Sequence, residues 1–170
     1  MKKLIIQIPA YNEAETLPEV LDDLPRHLEG IESIQVIVID DGSTDNTAQV
    51  ALEHGADFVL RHRNNLGLSR AFISGMQLAL ALGADIIVNT DADHQYPGNE
   101  IERLIQPILA SDADLVIGDR QPQHNRNFSP WKRFLEKLGS AIARKVSDSD
   151  VPDAVSGFRA YSRYAALPLQ

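Results

Sequence analysis

The chain has 170 residues, 44% of them hydrophobic, carries a formal charge of −8 and contains no cysteine. That composition suits one globular domain with a core of its own, and it excludes disulfides, thiolate metal sites and a cysteine nucleophile. An acidic mean charge also argues against general nucleic-acid binding, which needs a basic surface to neutralise phosphates.

Five short Ile- and Val-rich runs predict strands near residues 3–8, 34–39, 57–60, 85–90 and 114–118. Segments of helical period between them predict helices near 13–28, 44–54, 67–82 and 98–110, with another near 130–146. Pro18 and Pro25 shorten or break the first helix, and Gly55 and Gly83 fall where a left-handed cap residue belongs. Such alternation predicts an α/β domain over residues 1–170, with a mainly parallel central sheet flanked by helices. Met1 precedes Lys2, Lys3 and only a short apolar stretch, so no signal-peptide core is expected. No run reaches the roughly 18 apolar residues of a membrane span, which predicts a soluble chain still able to work at a membrane surface.

Polar chemistry gathers where the predicted strands end. The first strand runs into "PAYNE", the second into "DDGS", the fourth into "NTDAD" and the fifth into "GDR". Ligands of open α/β sheets bind outside the carboxyl ends of strands, so Glu13, Asp40, Asp41, Asp91, Asp93 and Arg120 point to one shared site. Asp91 and Asp93 repel one another unless a proton or cation lies between them. With Gln95 they form a set of hard oxygen donors suited to Mg²⁺ or Mn²⁺, while capping of the next turn explains an isolated Asp-x-Asp equally well. An EF-hand loop would need Gly where Tyr96 stands, and a haloacid-dehalogenase motif fits poorly at Gln95. Ser43 or Thr44 is placed to cap the second helix. Asp40 and Asp41 then suit either a base N–H or ribose hydroxyl, or Asx-turn chemistry. Neither a dinucleotide fingerprint nor a P-loop is present. His27, His54, His62 and His124 show no ligand spacing and are expected at the surface or in turns, and His94 is expected to point away from the metal. Arg61, Arg63 and Arg70 surround "NLGLS", where contact with phosphates competes with simple solvation.

The segments "IPAYNEAETLPEVL", "VIVIDDGSTDNT", "NLGLSRAFISGMQLA", "NTDADHQYPGNEI" and "DAVSGFRAYSR" resemble, in order and spacing, family 2 glycosyltransferases of the polyprenyl-phosphate (dolichyl-phosphate) mannose and glucose synthase branch. The resemblance implies a GT-A, Rossmann-like nucleotide-diphospho-sugar transferase fold and an inverting transfer. It matches Pro9, Ala10, Tyr11, Asn12 and Glu13 to one nucleotide-sugar-binding segment and Asp40 and Asp41 to a second. Asp91, Asp93 and Gln95 become the metal set; in the family's segment the later Asp and the Gln hold the metal, and Asp91 with Ala92 lies against the nucleotide. Arg120 matches an arginine near the donor phosphates, and Asp153 opens the segment near the arriving acceptor.

On that reading a divalent metal (Mn²⁺ or Mg²⁺) and Arg120 stabilise the leaving nucleoside diphosphate. A polyprenyl phosphate acceptor, with a second pKa of about 6, is mostly dianionic at neutral pH and needs no general base. A saccharide or lipid hydroxyl would need one, with Asp153 the candidate, although Asp153 equally suits a turn after Pro152. A catalytically idle nucleotide-sugar binding module is the reading from another class. Residues 126–145 hold Arg126, Lys132, Arg133, Lys137, Arg144 and Lys145 against only Glu136, a basic face open to acceptor or lipid phosphate at the cytoplasmic side of a membrane. Family members usually continue beyond the segment with which this chain ends, so a C-terminally truncated catalytic domain is expected.

Overall fold

The structure is a computed structural model that describes residues 2–118 and 157–169. Six strands form one sheet, β1 (Lys2–Ala10), β2 (Ile31–Asp40), β3 (Phe58–Arg61), β4 (Ile86–Asn89), β5 (Leu115–Ile117) and β6 (Arg159–Ser162), in the order β3-β2-β1-β4-β6-β5. β1 pairs in parallel with β2 and β4, and β2 with β3, whereas β6 runs antiparallel between β4 and β5. The helices are α1 (Leu17–Asp23), α2 (Thr47–Glu53), α3 (Leu68–Ala81), α4 (Glu100–Leu109) and the short α5 (Arg163–Ala166).

A central parallel strand is apolar on both faces because helices cover both. In β1, Leu4, Ile6 and Ile8 face a core completed by Leu17 and Leu21 of α1 and Ile101 and Ile105 of α4. Ile5, on the opposite face, joins Ile37, Ile39 and Ile87 against Ala71, Met76 and Ala79 of α3. Burying each such Leu, Ile or Met fully is worth about 1.5–3 kcal/mol.

Within the α3-facing layer Gln7 is an exception, fully buried among aliphatic neighbours. Its Nε2 donates to Asn89 Oδ1 on β4 at 2.9 Å, and Asn89 Nδ2 donates to the Gly157 carbonyl at 2.7 Å. Space for the Gln7 amide comes from Gly75 of α3, where a Cβ would lie 2.3 Å from Gln7 Oε1 and 2.7 Å from Ile39 Cδ1. A polar chain thus crosses the middle of the sheet and fixes where the backbone enters β6.

All five predicted strands are present, and β6 is an addition to them. α1 is two turns long, with Pro18 in its first turn, a position that needs no N–H, and Pro25 just beyond its end. Gly55 and Gly83 take φ of +87° and +83° after α2 and α3, as a left-handed cap requires. α2 begins at Thr47, not near residue 44, because Ser43 and Thr44 spend their hydrogen bonds on Asn12 instead of capping the helix. The helix expected near 130–146 lies outside the described residues. Among those described, no helix is long and apolar enough to cross a membrane.

Candidate functional site

The carboxyl end of β1 is stitched to the loop after β2. Asn12, in left-handed conformation at φ +56°, donates its N–H to Ser43 Oγ at 2.9 Å, and its Oδ1 accepts from Thr44 N at 2.8 Å. Glu13 N donates to Thr47 Oγ1 and Ala14 N to Asp45 Oδ2. Burial pushes the Asp45 carboxyl upward, but bonds from the Thr47 hydroxyl and from backbone N–H groups outweigh it and leave Asp45 below the ordinary carboxylate range.

The two adjacent aspartates at the end of β2 both hold protein. Asp40 is fully buried, accepts from Ser43 N at 2.8 Å and lies 3.0 Å from Arg61 Nε, while Arg61 Nη2 donates to the Ser43 carbonyl. Asp41 accepts from His62 Nδ1 at 2.6 Å, Leu66 N at 2.9 Å and Gly67 N at 2.8 Å. Burial raises its carboxyl, yet the His62 bond, the two backbone donors and the imidazole's charge together hold it below its usual value. The expected contact with a base or ribose therefore competes with partners already in place, and Asp40 closes the turn after β2 through the Ser43 N–H. His62 is not a surface histidine: its side chain is 10% exposed, and its Nε2 reaches Ser74 Oγ of α3 at 2.9 Å. Gly42, at φ +75°, lets residues 64 and 65 lie directly on the turn, since a Cβ there would be 2.4 Å from the Asn64 carbonyl carbon.

After β4 the chain turns through Asp91, half-buried, then Ala92, buried, then Asp93 and Gln95, both exposed. Asp93 Oδ1 accepts from Gln95 N at 3.2 Å, and Gln95 Nε2 donates to Asp93 Oδ2. The Asp91 carboxylate rests against Gly157, where a Cβ would stand 2.3–2.7 Å from its three terminal atoms. Tyr96 turns inward and stacks on Phe158 with ring centroids 4.8 Å apart. Among the described residues no group of three or more His, Asp or Glu side chains gathers as a metal cluster. The oxygen donors of Asp91, Asp93 and Gln95 nonetheless fit a hard divalent cation whose remaining positions are filled by substrate or water.

A cleft of about 420 Å³ lies over these strand ends. Pro9 and Ala10 of β1 line it with Tyr11 and Glu13 of the loop that follows, Asp41 lines it from the loop after β2, and Asp91, Ala92 and Asp93 from the loop after β4. Asn12, Asp40 and Gln95 do not line it; the first two hold the turn after β2 through Ser43 and Thr44. Asn65, Gly67, Leu68 and Ala71 complete the wall. Sequence reading did not single these four out, although Gly67, at φ +89° before α3, is a visible turn signal. Arg63 and Arg70 are solvent-exposed. Arg120, Asp153 and the basic segment 126–145 lie outside the described residues.

Comparison with known proteins places this geometry in a lineage. The chain is 32% identical over 183 residues to the UDP-N-acetylglucosamine–dolichyl-phosphate N-acetylglucosaminyltransferase of Methanococcus voltae, covering 96% of this chain and 71% of that one. It is 32% identical to the polyprenol monophosphomannose synthase of Mycolicibacterium smegmatis, covering 95% of this chain and 62% of the relative. Among solved structures, Mycobacterium tuberculosis glucosyl-3-phosphoglycerate synthase in complex with Mn²⁺, UDP-glucose and phosphoglyceric acid superposes with a TM-score of 0.73 at 25% identity, over 96% of this chain and 57% of that one. The fold is therefore of the GT-A type. With the profile described as Glycosyl transferase family 2 matching residues 5–167, nearly the whole chain, this protein belongs to that family.

Proposed function

We propose that this chain is the donor-binding catalytic domain of a metal-dependent inverting glycosyltransferase that moves a hexose from a nucleotide-diphospho-sugar, of the GDP-mannose or UDP-glucose type, to a polyprenyl phosphate at the cytoplasmic face of a membrane. The observation that carries it is the convergence of the Pro9–Glu13 segment, Asp41 and the Asp91–Asp93 pair on one cleft at the carboxyl ends of β1, β2 and β4. Both curated relatives described above are named for transfer to a polyprenyl or dolichyl phosphate, which supports the acceptor class.

Asp91, Asp93 and Gln95 are the residues that would hold the divalent cation, with Asp91 packed closely against Gly157. When bound, such a cation neutralises the charge that builds on the departing diphosphate. The protein's own part is largely orientation. Tyr11, Gly67, Leu68 and Ala71 offer an apolar stretch of cleft for the nucleoside, and the carboxylates occupy the end suited to phosphate. Arg120 is assigned to the donor phosphates. The acceptor phosphate attacks without a general base because it is already deprotonated at neutral pH. A hydroxyl acceptor would call on Asp153, and the phosphoglyceric-acid complex of the solved neighbour keeps that second reading in view.

Calorimetric titration with GDP and UDP, each with and without Mn²⁺, tests the donor site. The expected result is Mn²⁺-dependent binding of one nucleotide by the wild type, lost in Asp93→Ala. A folded wild-type protein that binds neither nucleotide with metal present would defeat the assignment.

A further inference from the structure

The loop that carries the proposed metal ligands is held from two sides. On the inside, Tyr96 is buried and stacks on Phe158. Outside, the loop closes on the last residue of α1, some seventy positions earlier in the chain. Asp23 Oδ2 accepts from Gly98 N at 2.6 Å and lies 3.4 Å from His94 Nε2, while His94 Nδ1 is 3.2 Å from Glu19 Oε1, one turn back on the same helix.

Two backbone features commit the loop to this arrangement. His94 takes φ +54°, a left-handed conformation unusual for a residue with a Cβ, and this turn leaves Asp93 and Gln95 exposed on either side of it. Gly98 is buried so tightly against α1 that a Cβ would lie 2.2 Å from the Asp23 carbonyl oxygen and 2.8 Å from its carbon. Both atoms are backbone and cannot swing aside. The end of α1 and the end of the loop therefore form one fixed contact at Gly98, and His94, which stands between Asp93 and Gln95, is tied to the same helix through Asp23 and Glu19.

We infer that Asp23 is a positioning residue for the metal loop: by holding Gly98 N–H and His94 it sets where the Asp93 and Gln95 oxygens sit, without touching the cation or the substrate. The inference rests on the metal reading of Asp93 and Gln95 given above. Groups that orient metal ligands typically contribute 10–100-fold to metal affinity, which sets the size of effect to look for.

The experiment is Mn²⁺ titration followed by electron paramagnetic resonance of the free ion, with GDP or UDP present, on wild type, Asp93→Ala, Asp23→Ala, Asp23→Asn and His94→Gly. Asp23→Ala is expected to bind Mn²⁺ about 10–100-fold more weakly. Asp23→Asn retains an oxygen for Gly98 N–H and should recover part of that loss. His94→Gly keeps the left-handed backbone while removing the imidazole and should fall between them. Amide exchange at residues 93–98 of the metal-free protein should accelerate in Asp23→Ala. If Asp23→Ala folds poorly, the Asn and Gly variants decide.

A merely structural Asp23 would lower the melting temperature and leave the Mn²⁺ affinity of the folded protein within twofold of wild type, which overturns the inference. Failure of the underlying metal reading shows elsewhere, as a wild type that does not bind Mn²⁺ or an Asp93→Ala variant that binds it equally well. Either of those results overturns the inference with it.

Discussion

Asp41, a candidate nucleotide-sugar contact, and Asp93, a candidate metal ligand, are both read from the sequence, and their surroundings separate them. Asp93 is exposed, with Gln95 as its hydrogen-bonding partner, so Asp93→Ala should remove Mn²⁺-dependent nucleotide binding while shifting stability by no more than about 0.5 kcal/mol in urea denaturation. Asp41 is buried under three donors, and Asp41→Ala strands His62, Leu66 N–H and Gly67 N–H. That variant should lose about 2–3 kcal/mol on unfolding. The pH dependence follows from the lowered Asp41 carboxyl: its folded value lies below the unfolded one, so its contribution is full above about pH 4 and is lost as pH falls through the folded value. Denaturation midpoints measured from pH 7 down to pH 3 should fall more steeply for wild type than for Asp41→Asn. Gly157→Ala separates site from scaffold in another way. The new Cβ would collide with the Asp91 carboxylate, the movable end of a side chain, so Asp91 should swing away and nucleotide affinity drop about tenfold with little change in melting temperature.

At the scale of elements, the strands that sequence reveals are those buried on both faces, such as β1 and β4, whose apolar runs have no competing period. β6 escapes because Arg159-Ala-Tyr-Ser162 is four residues long, with polar residues at both ends; only its pairing with β4 and β5 makes it a strand. The start of α2 departs from the sequence expectation for a related reason. Ser43 and Thr44 are good caps locally, but a partner 31 or 32 residues away, Asn12, claims their hydrogen-bonding groups. Gly75 looks like an ordinary weak point in a helix, and its real role depends on a buried glutamine from another element. Gly75→Ala should gain roughly 1 kcal/mol of helix propensity yet destabilise the protein by a net 1–3 kcal/mol, because the methyl overpacks against Gln7 and Ile39. Chemical denaturation of that single variant would show which effect prevails.

For the whole molecule, parallel pairing of β1 with β2 and β4 places three loops at one end of the sheet, and that end holds the cleft. The carboxylates there were legible in the sequence because charged residues directly after apolar runs are conspicuous. The opposite wall, Asn65 to Ala71, lies in a segment that carries the family resemblance, but its place on the cleft was not legible, since its residues are chemically plain and reach the cleft only because Asp41, Gly42 and His62 fold the segment onto β2. For His62, expected at the surface or in a turn, nothing local announces Asp41 and Ser74 as partners.

Transfer of labelled sugar from GDP-mannose, UDP-glucose and UDP-N-acetylglucosamine to a polyprenyl phosphate in detergent, with Mn²⁺, is the most direct test of the proposed activity. The expected product is an acid-labile glycolipid from one donor, abolished by chelator and by Asp93→Ala. Folded wild-type protein that binds nucleotide yet yields no glycolipid from any of the three donors would contradict the acceptor assignment.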